Sequence, residues 1–259
     1  MADYIEINGI PTWYDERGSG AEALVLLHGG FSDSRDFAGN LDTLTDRFTV
    51  FMPDRRGHGR TPDAPGPITL PLLVEDAIAF CEFAVKKTGG RVNLAGYSFG
   101  GTIALAVALR RPDLVRALVL ISTAFHHEGM IIAPSGDGSA MPEQVVAAYA
   151  EVSPDGRDHF PVVAAKIMAG IAAEPLALTE AEVSAVAART LVMAADDDIV
   201  HLEHVLALYR AIPDAELAVV PGASHVLLHE KPALCARLVG DFLTLPAGPT
   251  YLPVRRGGR

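Results

Sequence analysis

Short apolar runs separated by longer helical patterns constrain this chain more than any other feature. Residues 23–27 read ALVLL, and comparable runs recur at 48–52, 91–95, 117–121, 190–194 and 216–220. A run that is apolar at every position suits a strand buried on both faces, because successive side chains of a strand point to opposite sides. Helical patterns lie between the runs at 34–45, 72–87, 99–110, 201–211 and 233–243. Two of them stop before Pro112 and Pro213, since proline cannot continue a helix interior. Upstream, 4–7 and 12–16 read as an antiparallel pair joined at Asn8-Gly9, a strong hairpin signal. The alternation predicts an α/β fold, a mostly parallel eight-stranded sheet with helices on both faces.

One stretch breaks the alternation. From 123 to 189 there is no convincing strand; a Gly/Pro/Ser-rich start at 134–139 precedes helical pieces at 142–152, 160–173 and 179–188. Ligands of open α/β sheets bind outside the carboxyl ends of the strands. An insertion leaving one of those ends therefore reads as a small helical lid. The expected organisation is a core of residues 1–122 and 190–245, a lid (cap) at 123–189, and a peripheral C-terminal tail at 246–259.

Composition narrows the partners. At 259 residues and 49% apolar content the chain has ample material for a core, which excludes whole-chain disorder. Twenty-one Lys and Arg against 32 Asp and Glu leave a net charge of −11, so a phosphate backbone is repelled and nucleic acid is not an expected partner. Cys81 and Cys235 both sit in apolar helical patterns, as expected of a reducing compartment or of at most one optional bridge. Residues 1–10 carry no basic and apolar signal pattern, and no run of 18 apolar residues suggests a membrane span. The expectation is a soluble cytoplasmic protein with no membrane partner.

The sharpest chemical motif is Gly96-Tyr97-Ser98-Phe99-Gly100, placed between a strand and a helix. A serine on a sharp turn there needs neighbours that take almost no space, and glycine supplies the room. The helix begins beneath Ser98, and its N-terminal dipole favours negative charge. A serine hydroxyl needs a base to act as nucleophile. In a strand–turn–helix serine site the order along the chain is serine, acid, histidine. His225, in Gly222-Ala223-Ser224-His225 after the last strand, is the expected base, and His229 beyond it reads as structural. Asp196, Asp197 and Asp198 follow the strand after the lid, and each could orient His225. Acyl chemistry also needs donors for the developing oxyanion. The N–H groups of Phe99 and of Gly30, with Phe31 as the alternative to Gly30, are the candidates, and His28 reads as organising that loop. His225 and His229 lack a third ligand, so no metal site is expected. His201 and His204 read as one solvated helix face.

The chain resembles the α/β-hydrolase superfamily, in its lidded esterase, lactonase and cofactor-free haloperoxidase neighbourhood. The resemblance spans roughly residues 4–244. It rests on LVLLHGG (24–30), PDRRGHGRT (53–61), LAGYSFGG (94–101), LVMAADDD (191–198) and GASHVLLHEKP (222–232). Members carry Gly-x-x-Asp after the strand beyond the lid. Ala195-Asp196-Asp197-Asp198 matches with alanine for glycine, which implies Asp198 as the acid. The family's D-x-R-G-x-G turn, matched by Asp54, Arg56, Gly57, His58 and Gly59, implies a structural role beneath the site. The implied enzyme is a carboxylic ester hydrolase with catalytic Ser98, Asp198 and His225 and no cofactor. Its substrate would be a small-molecule ester or lactone in a mostly apolar pocket that includes Phe31, Phe125, His126, Met130, Tyr149 and Phe160. The alternatives are a C–C bond hydrolase, perhydrolase or lyase on the same triad, or a ligand receptor with vestigial hydrolysis.

Overall fold

The computed structural model describes residues 1–39, 41–132, 140–246 and 251–252. Eight strands form one sheet: β1 (Ala2–Ile7), β2 (Ile10–Arg17), β3 (Glu22–Leu27), β4 (Phe48–Pro53), β5 (Val92–Tyr97), β6 (Val115–Ile121), β7 (Arg189–Asp197) and β8 (Ala215–Ser224). Their order is β1-β2-β4-β3-β5-β6-β7-β8. From β4 to β8 every pairing is parallel, and β2 alone runs against its neighbours. The hairpin closes on Ile7 and Ile10, with Asn8 and Gly9 at φ of 48° and 78°, the left-handed pair that a two-residue turn requires. Pro11 is accommodated because the pairing of β2 with β4 begins only at Tyr14.

The apolar runs are explained by what covers each face. Val25 and Leu27 pack with Leu73 and Val74 of α1 (Leu70–Thr88) and Ile103 and Val107 of α2 (Phe99–Arg110). Leu24 and Leu26, their neighbours in the strand, pack on the other side with Cys235, Val239 and Phe242, which come from the C-terminal helix Pro232–Thr244. Cys81 and Cys235 are buried and free.

Between β6 and β7 the chain forms α3 (Glu143–Val152), α4 (Phe160–Ala173) and the single turn α5 (Glu180–Val183). After β7 come α6 (Leu202–Ala211), the turn α7 (Leu227–Glu230) after β8, and α8 (Pro232–Thr244). The stretch 134–139 and most of the tail 246–259 lie outside the described residues. Polar clusters fasten α3 and α4 to the body. Arg35 bonds Glu151 Oε2 (2.6 Å) and the Ala148 carbonyl (2.5 Å), and Asp63 accepts from Lys166 (2.5 Å) and pairs with His159 (2.9 Å). No helix among the described residues is long and apolar enough to cross a membrane.

Two helical readings are corrected. Residues 34–45 form two 3-10 turns, Ser34–Phe37 and Asp42–Asp46, in place of one helix. Asp33 caps the first turn by accepting from Arg35 N, and Gly39 at φ 74° turns the chain out of it. The piece at 179–188 is helical only over Glu180–Val183, behind a Thr179/Glu182 capping box. Val183 and Val186 are already buried there, and the chain turns directly into β7.

The turn from β5 into α2 leaves no room for a side chain at either of its glycines. A Cβ on Gly96 would overlap the Gly100 carbonyl, and one on Gly100 would overlap the carbonyl oxygens of Leu27 and His28. Backbone oxygens in a sheet cannot yield. Gly100→Ala is therefore expected to lower the unfolding free energy by about 1–3 kcal/mol or more in urea titration. A change within about 0.5 kcal/mol of the native value would contradict the packing described.

Candidate active site

Ser98 stands between β5 and α2 at φ 53° and ψ −120°, a positive-φ conformation that a non-glycine residue seldom adopts. Such strain costs on the order of 1–3 kcal/mol and persists only where neighbours enforce it. Here the Ser98 N–H donates to the Ile121 carbonyl (2.8 Å), and the Ser98 carbonyl accepts from Gly101 and Thr102 of the new helix.

The loops after β7 and β8 bring two further groups to this turn. His225 Nε2 lies 2.9 Å from Ser98 Oγ, and His225 Nδ1 lies 2.7 Å from Asp198 Oδ1. A carboxylate accepts only, so Nδ1 carries the proton and Nε2 is the acceptor facing the serine. Burial works against the charge of Asp198. The hydrogen bonds from His225 and Ser122, the charge of His225 and the Ala195 N–H outweigh it, and its carboxyl is held below the usual range. Asp196 and Asp197 end β7, and Asp196 accepts from Ala223 N (3.2 Å), so it anchors the end of β8 that leads to His225.

Sequence reasoning missed two supports. Ser122, at φ 49°, donates its hydroxyl to Asp198 Oδ2 (2.5 Å). Tyr97 donates to the His225 carbonyl (2.9 Å), with the two rings 5.4 Å apart. Nothing in the spacing marks Ser122. Tyr97 lies inside the G-x-S-x-G motif, but its partner is 128 residues away.

The loop after β3 lies beside Ser98: a Cβ built on Gly30 would sit 3.6 Å from Phe99 Cβ. Phe31 has a φ of 54°. Gly29 N–H donates to Asp36 Oδ2 (2.9 Å), and the Ser32 hydroxyl donates to Asp36 Oδ1 (2.6 Å). His28 is buried and organises the loop. Its Nδ1 donates to the Gly29 carbonyl (2.9 Å) and its Nε2 accepts from Arg55 N (3.1 Å). Burial, then the charge of Arg55, holds it neutral by driving its pKa well below the usual value. The Asp54–Gly59 turn backs this loop: Asp54 accepts from Ser34 N and Arg60 N (both 2.8 Å), and Arg56 pairs with Asp76 (2.5 Å). Gly57, His58 and Gly59 of that turn also reach the cavity wall.

A cavity of about 540 Å³ opens over Ser98 and His225. Of the expected pocket residues, Phe31, Tyr149 and Phe160 line it, joined by Val145 and Val163 of α3 and α4. His229, read as structural, also lines it, half-exposed, with Nε2 3.8 Å from Asp36 Oδ1, which raises its pKa. Phe125, His126 and Met130 are not brought to this cavity. Phe125 is buried and stacks on His204 at 4.0 Å, and with His126 it borders a second, more open cavity. Met130 bridges to Val200. The start of the 123–189 segment thus folds back onto α6, and among the described residues of the segment it is α3 and α4 that stand over Ser98. Among the described residues, no group of three or more His, Cys, Asp or Glu is placed to hold a metal ion.

His204 is accordingly no solvated residue. Its Nε2 accepts from Phe125 N (3.1 Å), and burial, then the charges of His126 and His201, push its pKa down to about 4. A histidine whose pKa is depressed on folding contributes stability that is complete above the unfolded value, about 6.5, and lost as pH falls toward the folded one. Acidification from pH ~6.5 to ~4 should therefore destabilise the native protein relative to His204→Gln, by at most about 1.4 kcal/mol per pH unit. Urea titrations across that range check this; a pH-independent difference would contradict it.

A family profile for the alpha/beta hydrolase fold matches residues 22–155. The chain is 25% identical over 266 residues to the 2-(acetamidomethylene)succinate hydrolase of Mesorhizobium japonicum, covering 92% of this chain and 94% of that protein. It is 30% identical over 106 residues to the pimeloyl-acyl-carrier-protein methyl ester esterase of Nitrosomonas europaea, covering 41% of this chain and 38% of that one. For the curated relatives matched at 30% identity, the chain spans 31–38% of their length. The enol-lactonase from Burkholderia xenovorans superposes with a TM-score of 0.73 at 25% identity, covering 93% of this chain and 99% of that one. With more than half of its length matched by the profile and its sheet, elbow and crossovers in place, the chain belongs to the alpha/beta hydrolase fold family.

Proposed function

We propose that the protein is a serine hydrolase that cleaves a small-molecule carboxylic ester or lactone through an acyl-enzyme. The observation that carries this reading is the continuous hydrogen-bond chain from Ser98 Oγ to His225 (2.9 Å) to Asp198 (2.7 Å). Ser98 attacks the carbonyl carbon as His225 Nε2 takes its proton. Asp198 keeps the imidazole in the required tautomer and stabilises the imidazolium. The N–H groups of Gly30 and Phe99 receive the oxyanion. His225 then returns the proton to the leaving alkoxide, or to the ring-opened alkoxide of a lactone. Water activated by His225 releases the acid. No step calls for a cofactor.

Within residues 123–189, α3 and α4 act as the lid of this site over a core of 1–122 and 190–245, an assignment supported by the cavity walls that they supply. The carbonyl substrate class is supported by similar proteins whose names specify a methyl ester esterase and an enol-lactonase. Two free buried cysteines favour a cytoplasmic setting.

Intact-mass spectrometry after treatment with a fluorophosphonate tests the reading without the natural substrate. One adduct per chain is expected on the native protein and none on Ser98→Ala. A folded native protein that forms no adduct, or an adduct that survives Ser98→Ala, would overturn the assignment.

A further inference from the structure

We infer that Arg55 is a positioning residue of the oxyanion hole, acting through the peptide plane between Gly29 and Gly30. The inference rests on the serine-hydrolase reading. Arg55 occupies the variable place after Asp54 in the D-x-R-G-x-G turn, where neither motif nor spacing gives it a task.

Its side chain is buried, at 6% exposure, and extends beneath the loop after β3. One terminal nitrogen donates to the His28 carbonyl, and the other donates to the Gly29 carbonyl at 2.6 Å. The Gly29 carbonyl also accepts from His28 Nδ1 at 2.9 Å. That carbonyl and the Gly30 N–H belong to one peptide unit, which is rigid and planar. In a trans unit the two bonds point in opposite directions, so fixing the carbonyl aims the N–H. Gly29-Gly30 is otherwise the freest dipeptide a chain can offer, with no side chains to restrict its rotation. Two donors on the oxygen also polarise the unit and strengthen its N–H as a donor. The guanidinium stands 5.8 Å from the centre of the Phe99 ring, so it packs against the second donor residue as well.

The cost of this arrangement argues that it has a purpose. A buried cation is expensive, and its Nε has no hydrogen-bond partner. Burial pushes the guanidinium pKa down to about 9, against the opposing pull of Asp36 and Asp54. An apolar side chain would fill the same space at lower cost but would take the Arg55 donor from the His28 carbonyl and leave the Gly29 carbonyl to His28 Nδ1 alone. On the far side Asp36 holds the Gly29 N–H at 2.9 Å, so the glycine is clamped at both of its peptide units.

The test compares Arg55→Lys, which keeps the charge but not the fork, with Arg55→Gln and with the neighbouring Arg56→Lys. Arg56 pairs with Asp76 and has no contact with the loop carbonyls in the structure's hydrogen bonds. Each protein is assayed on 4-nitrophenyl butanoate, titrated with butane-1-boronic acid as a tetrahedral mimic, melted, and treated to completion with a fluorophosphonate. Both Arg55 variants should lose about 10- to 100-fold in kcat, somewhat less than deletion of an oxyanion donor. KM should stay within about twofold, and the boronate inhibition constant should rise by the same factor as kcat falls. Arg56→Lys should shift the melting point without that split. A native kcat in either folded Arg55 variant, a rise in KM alone, or losses equal to those of Arg56→Lys would overturn the inference. A native protein without a fluorophosphonate adduct would instead overturn the hydrolase reading itself.

Discussion

The close approach of α2 to the carboxyl end of β3 governs the rest of the molecule. Gly100 rests on the carbonyls of Leu27 and His28, and that contact forces the chain through a turn in which Ser98 takes a strained positive-φ conformation. The strain at Ser98 exists because the sheet on one side and the helix on the other leave no alternative path. The same contact sets the loop after β3 beside the first turn of α2. The serine, the Gly30 segment and the Phe99 segment are thus placed by one packing event. Hydrogen bonds from β6 and from the first turn of α2 then lock it.

Parallel strands contribute the remainder. Their carboxyl ends all open on one edge, so loops after β3, β5, β6, β7 and β8 converge without long excursions. Asp198 gathers donors from three of these ends: Ser122 after β6, Ala195 in β7 and His225 after β8. Each donor favours the ionised carboxylate, and the ionised carboxylate holds the imidazole in the tautomer that can accept from Ser98. The charged groups beneath the site, Arg55, Asp36 and Asp54, bind backbone more than one another. They shape the loops on which the chemistry is proposed to occur.

Much of this is legible in the residues. Runs such as ALVLL mark strands because both faces are covered, and α2 is bounded as its sequence implies, by the elbow at one end and Arg111-Pro112 at the other. Ser98 and His225 stand out because each lies just past a strand in the chain order of this architecture, and Asp198 is singled out from its two neighbouring aspartates by the family resemblance. What the sequence conceals is pairing at long range. Ser122 and Tyr97 are single polar residues whose partners lie 76 and 128 positions away. The helix expected at 34–45 stops after one turn because Gly39, at φ 74°, carries the chain out of it. Phe125 has the apolarity of a pocket residue, but apolarity does not say against what a ring is buried. It packs on His204, away from the cavity.

The account depends on Ser98 becoming covalently acylated during turnover. Acid quenching in the first turnovers of 4-nitrophenyl butanoate, followed by peptide mass mapping, observes this directly. A butanoyl group is expected on the peptide containing Ser98, appearing with the first nitrophenolate and persisting at steady state when deacylation is slowed. Nitrophenolate release with the acyl group on another residue would contradict the account. So would release that continues undiminished in Ser98→Ala.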